Sequence, residues 1–168
     1  MADDLNKKLA TGMKAMDEGD FKKAYSTFKK LCEENKDSAE CWYYKAECGN
    51  MASGMFGAKV KDEEIIEAYN KAIELDPQCE YYESYGLFCI SLNKYEEAER
   101  AFCEAAELDG SRAASLYSEF AVEYFNNIMA THGDILEDKK VRAPYVKKAL
   151  EYMLKALEID PEEAKSVL

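Results

Sequence analysis

The chain ends three of its predicted helices with nearly the same six residues. Residues 72–77, 105–110 and 156–161 each begin with alanine, continue with apolar residues at helical spacing, and end with aspartate before proline or glycine. A small residue lets two helices approach closely, and proline or glycine ends a helix. Because aspartate is a favoured N-cap and proline a favoured first residue, we expect Asp76 and Asp160 to cap the helices that follow. This recurrence predicts a succession of similar amphipathic helices.

A second pattern recurs upstream of two of these helix ends. Residues 19–25 and 93–99 each start with a turn residue, Gly19 or Asn93, and continue with an aromatic residue and then an alanine three positions further on. Glycine and asparagine tolerate the left-handed conformation that ends one helix. The pattern therefore predicts a tight turn and a second helix whose alanine lies where the two helices cross.

Together these residues resemble the tetratricopeptide repeat, a helix–turn–helix unit of about 34 residues. Four units follow one another in near register, at about 5–38, 39–78, 79–112 and 113–162, with a short C-terminal tail at 163–168. The third unit matches the family pattern best, through Tyr82, Gly86, Asn93, Tyr95, Ala98, Phe102 and Ala105. The resemblance covers nearly the whole chain.

Some positions depart from the family pattern. Lys36 and Gly110 stand where the first and third units would carry proline, and Phe120 stands in the fourth unit where glycine or alanine is usual. The second unit is lengthened by an insertion at about 51–61, between its two helices, and the fourth by additional residues at about 132–144. Such insertions are either functional loops or tolerated surface additions, and the sequence leaves both readings open.

The resemblance implies an all-α fold, an α–α superhelix of about eight helices paired into antiparallel hairpins within one domain, residues 1–168. The composition agrees, because only 3 Pro and 8 Gly interrupt a chain that is 48% hydrophobic. The six cysteines form no CxxC pair, so we expect them to be reduced packing residues of a cytoplasmic protein. They are Cys32, Cys41, Cys48, Cys79, Cys89 and Cys103.

The formal net charge of −12, from 34 acidic and 22 basic residues, restricts the class of partner. Nucleic-acid binding depends on Lys and Arg that neutralise phosphates, so we expect no nucleic-acid partner. We also expect no membrane association, because no apolar run approaches the ~18 residues of a membrane span. A partner with a basic surface fits this charge better, although the charge also serves simply to keep the protein dissolved.

Residues suited to catalysis or metal binding are scarce. His132 is the only histidine, and no cysteine lies near it at ligand spacing, so we expect no metal site and no cofactor. Gly54 and Gly57 lack the following Lys-Ser/Thr of a phosphate-binding loop. We therefore predict a non-catalytic protein, with an enzyme that uses His132 near the insertions as the least favoured alternative.

The resemblance also implies where a ligand binds, because the first helix of each unit lines the concave surface in this family. The residues that this implies are Met13, Glu40, Tyr43, Tyr44, Glu47, Met51, Glu80, Glu83, Leu87, Tyr117 and Tyr124. Tyrosine and methionine offer adaptable apolar surface, and carboxylates select Lys or Arg. We therefore predict a groove for a peptide or protein segment with basic and apolar residues. In the alternative reading, several of these tyrosines pack between neighbouring helices instead.

The sequence also bears on two further kinds of partner, acidic chaperone tails and a second copy of this chain. Some family members hold acidic chaperone tails with Lys, Asn and Arg, but the matching positions here are Leu9, Met13, Tyr44, Glu80 and Ser84. Binding of such tails is therefore not expected. The second kind of partner is another copy of this chain. Because the C-terminal tail at 163–168 is short, we expect it to cover the last hydrophobic face poorly. A homo-oligomer formed through the C-terminal end is therefore the main alternative function.

Overall fold

A computed structural model describes residues 2–56, 59–133 and 137–167, and those residues form nine α-helices, one short 3-10 helix and no strand. This confirms the predicted all-α fold. The α-helices are α1 (Ala2–Asp17), α2 (Phe21–Glu34), α3 (Ala39–Phe56), α4 (Asp62–Leu75), α5 (Cys79–Ser91), α6 (Tyr95–Leu108), α7 (Ala113–His132), α8 (Lys139–Ala156) and α9 (Pro161–Val167). The 3-10 helix is Gly110–Arg112, between α6 and α7.

Successive helices pack as hairpins: α1 on α2, α3 on α4, α5 on α6 and α7 on α8. The chain divides into two compact units, Met1–Pro77 and Gln78–Leu168. In the first unit α2 also packs against α3, and in the second unit α7 packs against both α5 and α6. Each unit therefore holds two helix hairpins, and the second unit also holds α9.

Glycines in the first helices allow close approach of an aromatic side chain from the second. A Cβ atom on Gly12 would lie 2.6 Å from Cζ of Phe28, and one on Gly86 would lie 2.8 Å from Cδ2 of Phe102. Both rings are fully buried in the cores of their units. The glycine of the family pattern is thus required by contact between the helices rather than by the conformation of the backbone.

The turn between the two helices of a hairpin has the predicted geometry in both places where it was expected. Gly19 has a φ of 76° and Asn93 a φ of 59°, so each residue is in the left-handed region. Gly19 donates its backbone N–H to the carbonyl of Met16, and Asn93 donates to Ile90. The left-handed residue thereby satisfies carbonyl groups at the end of the preceding helix.

The two predicted aspartate caps have different outcomes. Asp160 caps α9 as predicted: its carboxylate accepts from the backbone N–H of Glu162 at 2.8 Å, and Pro161 is the first helical residue. The prediction for Asp76 is wrong, because Asp76 ends α4 by donating its N–H to Ala72, and α5 starts only after Gln78. Asp76 and Gln78 both have extended backbone, so the start of α5 lies beyond the reach of the Asp76 side chain.

Both lengthened segments are helical in part. The insertion at 51–61 was expected between two helices, but α3 continues to Phe56. At 132–144, α7 reaches His132 and α8 begins at Lys139. Residues 57–58 and 134–136 of the two segments lie outside the described part of the chain, as does Leu168 of the tail.

Candidate functional site

The predicted ligand-binding residues of the second hairpin share one face of α3. The spacing from Glu40 to Met51 places them on one side of the helix, while Cys41, Cys48 and Ala52 bury the other side. Glu40 is exposed, and the remaining members of the face, Tyr43, Tyr44, Glu47 and Met51, are half-buried. This face, which we call the α3 face, therefore combines an exposed carboxylate with partly covered aromatic and thioether groups.

Ring packing fixes the tyrosines of the α3 face. The Tyr44 ring stacks on Phe28 of α2, with centroids 5.2 Å apart and planes 28° apart. The centroid of the Tyr43 ring lies 5.3 Å from that of Tyr44 and 6.4 Å from that of Tyr69 of α4. The Tyr69 hydroxyl donates a hydrogen bond to Glu47, and burial together with the charge of Glu47 raises the pKa of Tyr69. The tyrosines thus pack against neighbouring helices and also form a rigid, partly exposed surface.

The first hairpin contributes one of the predicted residues. Met13 lies on α1 with its side chain exposed, next to Gly12, whose close approach to Phe28 sets the spacing between α1 and α2. An exposed thioether has a flexible, polarisable side chain that can adapt to an apolar ligand group. Met13 is therefore available to a ligand in a way that the neighbouring core residue Leu9 is not.

In the second unit, the predicted residues of α5 also share a face. Glu80 is exposed, while Glu83 and Leu87 are half-buried one and two turns further along the helix. Both carboxylate oxygens of Glu83 accept hydrogen bonds from Nη2 of Arg112, at 2.6 and 2.8 Å. The charge of Glu83 is therefore partly neutralised within the chain, whereas Glu80 presents its carboxylate to solvent.

The two predicted tyrosines of α7 differ in their access to a ligand. Tyr117 is half-buried, with its ring 5.8 Å from Tyr152 and the Lys155 ammonium 5.7 Å from the ring centroid. Tyr124 is only 4% exposed; it stacks on Phe120 and meets Tyr95 edge to face at 5.2 Å. The Tyr124 ring is therefore part of the core of the second unit and offers little surface to a ligand.

Glu119, which the sequence did not single out, lies opposite Glu83. Burial, a hydrogen bond with Glu83 and the negative charges of Glu83 and Glu123 raise the pKa of Glu119 to about 7, while Arg112 acts to lower it. Only the tertiary fold brings α5, α7 and the 3-10 helix together here. A positively charged ligand group placed beside this pair would favour the ionised form of Glu119.

Replacing Glu119 by glutamine is expected to make the stability of the protein less dependent on pH. The folded state raises the pKa of Glu119 above its usual 4.5, so the wild-type protein loses stability as the pH rises from about 4.5 to 7. At pH 8, Glu119→Gln should raise the free energy of unfolding by about 1 kcal/mol, because solvent screens a half-exposed carboxylate. At pH 4 the two proteins should be equally stable, as measured by urea unfolding.

The exposed Glu96 of α6 provides the control for this measurement. Glu96→Gln removes the same charge from the same unit and should change the free energy of unfolding by no more than about 0.5 kcal/mol at either pH. A gain in Glu119→Gln that is as large at pH 4 as at pH 8 would contradict the assigned titration.

Lys45 is buried. Its contacts account for the burial of this charge, so no catalytic role is needed to explain it. Its ammonium lies 3.4 Å from the Glu64 carboxylate and 5.0 Å from the centroid of the Trp42 ring. Glu64 also accepts a hydrogen bond from Lys29 at 2.9 Å. Burial acts to raise the pKa of Glu64. Hydrogen bonds from Lys29 and Tyr25, together with the charges of the two ammonium groups, lower this pKa to about 2. Lys45 therefore links α3 to α4 through Glu64, and Lys29 of α2 pairs with the same carboxylate.

The thiols of the first unit are poor nucleophiles. Burial raises the pKa of Cys32 and of Cys48 to about 12, so each is a neutral thiol at physiological pH. His132 lies exposed at the end of α7. Among residues 2–56, 59–133 and 137–167, no group of three or more His, Cys, Asp or Glu side chains could hold a metal ion. Within the same ranges, no helix is both long and apolar enough to cross a membrane.

Comparison with known proteins identifies the repeat and the fold. Residues 80–112 match the family model of the tetratricopeptide repeat, in agreement with the predicted third unit. Comparison with curated protein sequences gives no significant match.

Solved structures with a similar fold include MamA, with a TM-score of 0.69 and 21% identity over 98% of this chain and 81% of MamA. PilF of Pseudomonas aeruginosa has a TM-score of 0.57 and 16% identity, over 90% of this chain and 76% of PilF. YrrB, described as a tetratricopeptide-repeat protein with an unusual peptide-binding site, has a TM-score of 0.56 and 17% identity, over 95% of this chain and 88% of YrrB. At these identities the similarity to solved structures shows the fold alone, and the family model shows a tetratricopeptide repeat at residues 80–112 within it.

Proposed function

We propose that this protein is a non-catalytic interaction module that binds a peptide or protein segment through the first helices of its hairpins. Tetratricopeptide repeats are generally non-enzymatic modules that bind proteins or peptides. The observation that carries the proposal is the α3 face, where an exposed carboxylate, Glu40, adjoins the rigid rings of Tyr43 and Tyr44. A peptide-binding site is described for YrrB, which has the same fold.

The ligand has basic and apolar residues. Glu40 on α3 and Glu80 on α5 are exposed carboxylates at the start of their helices, and each can form an ion pair with Lys or Arg. Tyr43 and Tyr44 are already held by their neighbours, so an apolar ligand group loses little conformational entropy on their side of the contact. The pKa of Glu119, about 7, gives the second unit a further group that a cation would ionise.

Mutation of exposed carboxylates tests this proposal more cleanly than mutation of Tyr44 or Glu47. Tyr44 stacks on the core residue Phe28, and Glu47 accepts a hydrogen bond from Tyr69, so changing either residue also disturbs packing. Glu40 and Glu80 are exposed, and their side chains can be replaced without loss of core contacts.

Charge reversal of Glu40 or Glu80 is expected to weaken the binding of basic peptides by about five- to tenfold, as expected for an exposed charge pair of about 1 kcal/mol. The probe is a fluorescently labelled peptide library in which Lys or Arg alternates with Leu or Phe. Binding to the wild type, to Glu40→Lys and to Glu80→Lys is measured by fluorescence anisotropy at low and high salt. The effect should diminish at high salt because ions screen surface charges.

Two exposed glutamates on second helices provide matched controls. Glu67→Lys on α4 and Glu96→Lys on α6 change the net charge equally, away from the first helices. These controls should reduce affinity by less than about twofold, through the general field of the protein alone. Equal losses in all four variants would show that only net charge matters, and a preference for acidic peptides would contradict the proposed ligand chemistry.

A further inference from the structure

The second unit has an exposed apolar ridge in the middle of α8. The half-buried Val146 and the exposed Leu150 form this ridge, which we call the α8 ridge, and Leu150 is 56% exposed. Both residues line two grooves, one on each side. The groove towards α7 is lined also by Val122, Phe125 and Met153, and the open groove towards α9, of about 860 Å³, by Ala143, Leu154, Pro161 and Ala164. A ridge between two grooves is a shape onto which another helix can pack.

The equivalent positions of α6 show what this face of a second helix does. Counted back from the similar helix ends at 105–109 and 156–160, Leu150 of α8 corresponds to Glu99 of α6. Glu99 accepts hydrogen bonds from Lys148 and from the Tyr152 hydroxyl, so on α6 this face contacts the following hairpin. On α8 the same face carries exposed leucine instead of a paired carboxylate. The α8 ridge thus lies on a stacking surface.

Charges are segregated along the chain on either side of the α8 ridge. Residues 139–148 carry five cations and no carboxylate, namely Lys139, Lys140, Arg142, Lys147 and Lys148. Residues 151–163 carry five carboxylates and one lysine, namely Glu151, Glu158, Asp160, Glu162 and Glu163 with Lys155. Lys147 pairs with Glu151, and Lys148 with Glu99, within the chain. In the described part of the chain, the side chains of Lys139, Lys140 and Arg142 form no ion pair, so these three cations carry the charge of the basic half. A basic half and an acidic half therefore flank one apolar centre.

We propose that the α8 ridge binds a second copy of this chain, with the two α8 helices antiparallel about a two-fold axis. A two-fold contact brings the same patch of both copies together, so each half of the patch meets the opposite half of the other copy. The basic start of one α8 then faces the acidic end of the other, and the two α8 ridges meet near the axis. A partner of uniform charge would match only one half, whereas a second copy matches both.

Sedimentation velocity with charge-reversed variants of the full chain tests this arrangement. The wild-type chain should form a dimer within about 1–100 µM, the range expected for an interface of modest area. The first variant, Lys139→Glu/Lys140→Glu/Arg142→Glu, makes both halves acidic, and the second, Glu151→Lys/Glu158→Lys/Glu162→Lys, makes both halves basic. Each variant alone should dimerise at least about tenfold more weakly, because like charges then meet.

An equimolar mixture of the two variants should restore the dimer, since each acidic half then meets a basic half. Within α8 the substitutions place acidic residues near its start and a lysine at position 151 in its second half, as the helix dipole favours, so α8 itself should remain folded. Glu158 and Glu162 lie beyond the end of α8. Circular dichroism checks this. A third variant, Leu150→Asp, should abolish dimers without altering the charge of either half.

Reversal of two exposed charges on α6, Glu96→Lys and Glu104→Lys, is the control and should leave the dimer unchanged. The Glu40→Lys and Glu80→Lys variants should also dimerise normally, which separates this surface from the proposed peptide-binding faces. A wild-type chain that stays monomeric across the concentration range would overturn the proposal. So would a mixture of the two variants that stays monomeric.

Discussion

Valine in place of Gly86 is expected to destabilise the second unit by about 3 kcal/mol, at the upper end of the usual cost of overpacking a core. Even a Cβ atom at this position would lie 2.8 Å from two atoms of the Phe102 ring. The ring cannot retreat easily, because it is fully buried and its centroid lies 5.6 Å from that of Phe120. The loss amounts to a large fraction of the stability of a small domain. Urea unfolding followed by far-ultraviolet circular dichroism measures it.

Gly110 provides the matched control, because a Cβ atom there would have no atom within 4 Å apart from those of its own and the two adjacent residues. Gly110→Val should therefore change the free energy of unfolding by less than about 0.5 kcal/mol, as for other surface substitutions. If Gly86→Val were as mild as Gly110→Val, the close contact between α5 and α6 would be incorrect.

The hairpin geometry could be predicted because its determinants are local or nearly so. Gly19 and Asn93 both adopt the left-handed conformation that the sequence predicted, since few other residues tolerate it at the end of a helix. The glycine of the first helix and the aromatic residue of the second recur at the same separation in the first and third units. Contacts between neighbouring helices of one hairpin therefore leave a recognisable pattern in the sequence.

The environment of the candidate site could be predicted only in part. Helical spacing correctly placed Tyr117 and Tyr124 on one helix, but it could not show that Tyr124 is buried while Tyr117 is half-exposed. Burial depends on side chains of other helices, such as Tyr95 of α6, which are distant in sequence. The Glu83–Arg112 ion pair and the nearby Glu119 arise in the same way, from three elements that meet only in the folded chain. The peptide-binding role of these residues remains a prediction.

Phe120 is the position at which the repeat pattern and the structure make opposite predictions. The family pattern has glycine or alanine here, so the pattern alone predicts that Phe120→Ala is harmless. In the structure the Phe120 ring is fully buried, and its centroid lies 4.6 Å from that of Tyr152 and 5.5 Å from that of Tyr124. We expect Phe120→Ala to lower the free energy of unfolding by about 3–5 kcal/mol, the usual cost of truncating a buried phenylalanine.

The reason for this reversal lies in the facing helix. Counted from the similar helix ends, Met153 of α8 corresponds to Phe102 of α6, so the buried phenylalanine of the fourth hairpin lies on its first helix. Adding Met153→Phe to Phe120→Ala restores the family arrangement and should recover part of the lost stability. Val122→Ala, at an exposed position of α7, should cost less than about 1 kcal/mol in the same urea unfolding measurement. If Phe120→Ala lowered the free energy of unfolding no more than this control does, Phe120 would not make the core contacts with Tyr152 and Tyr124. The fourth hairpin would then pack as the family pattern predicts.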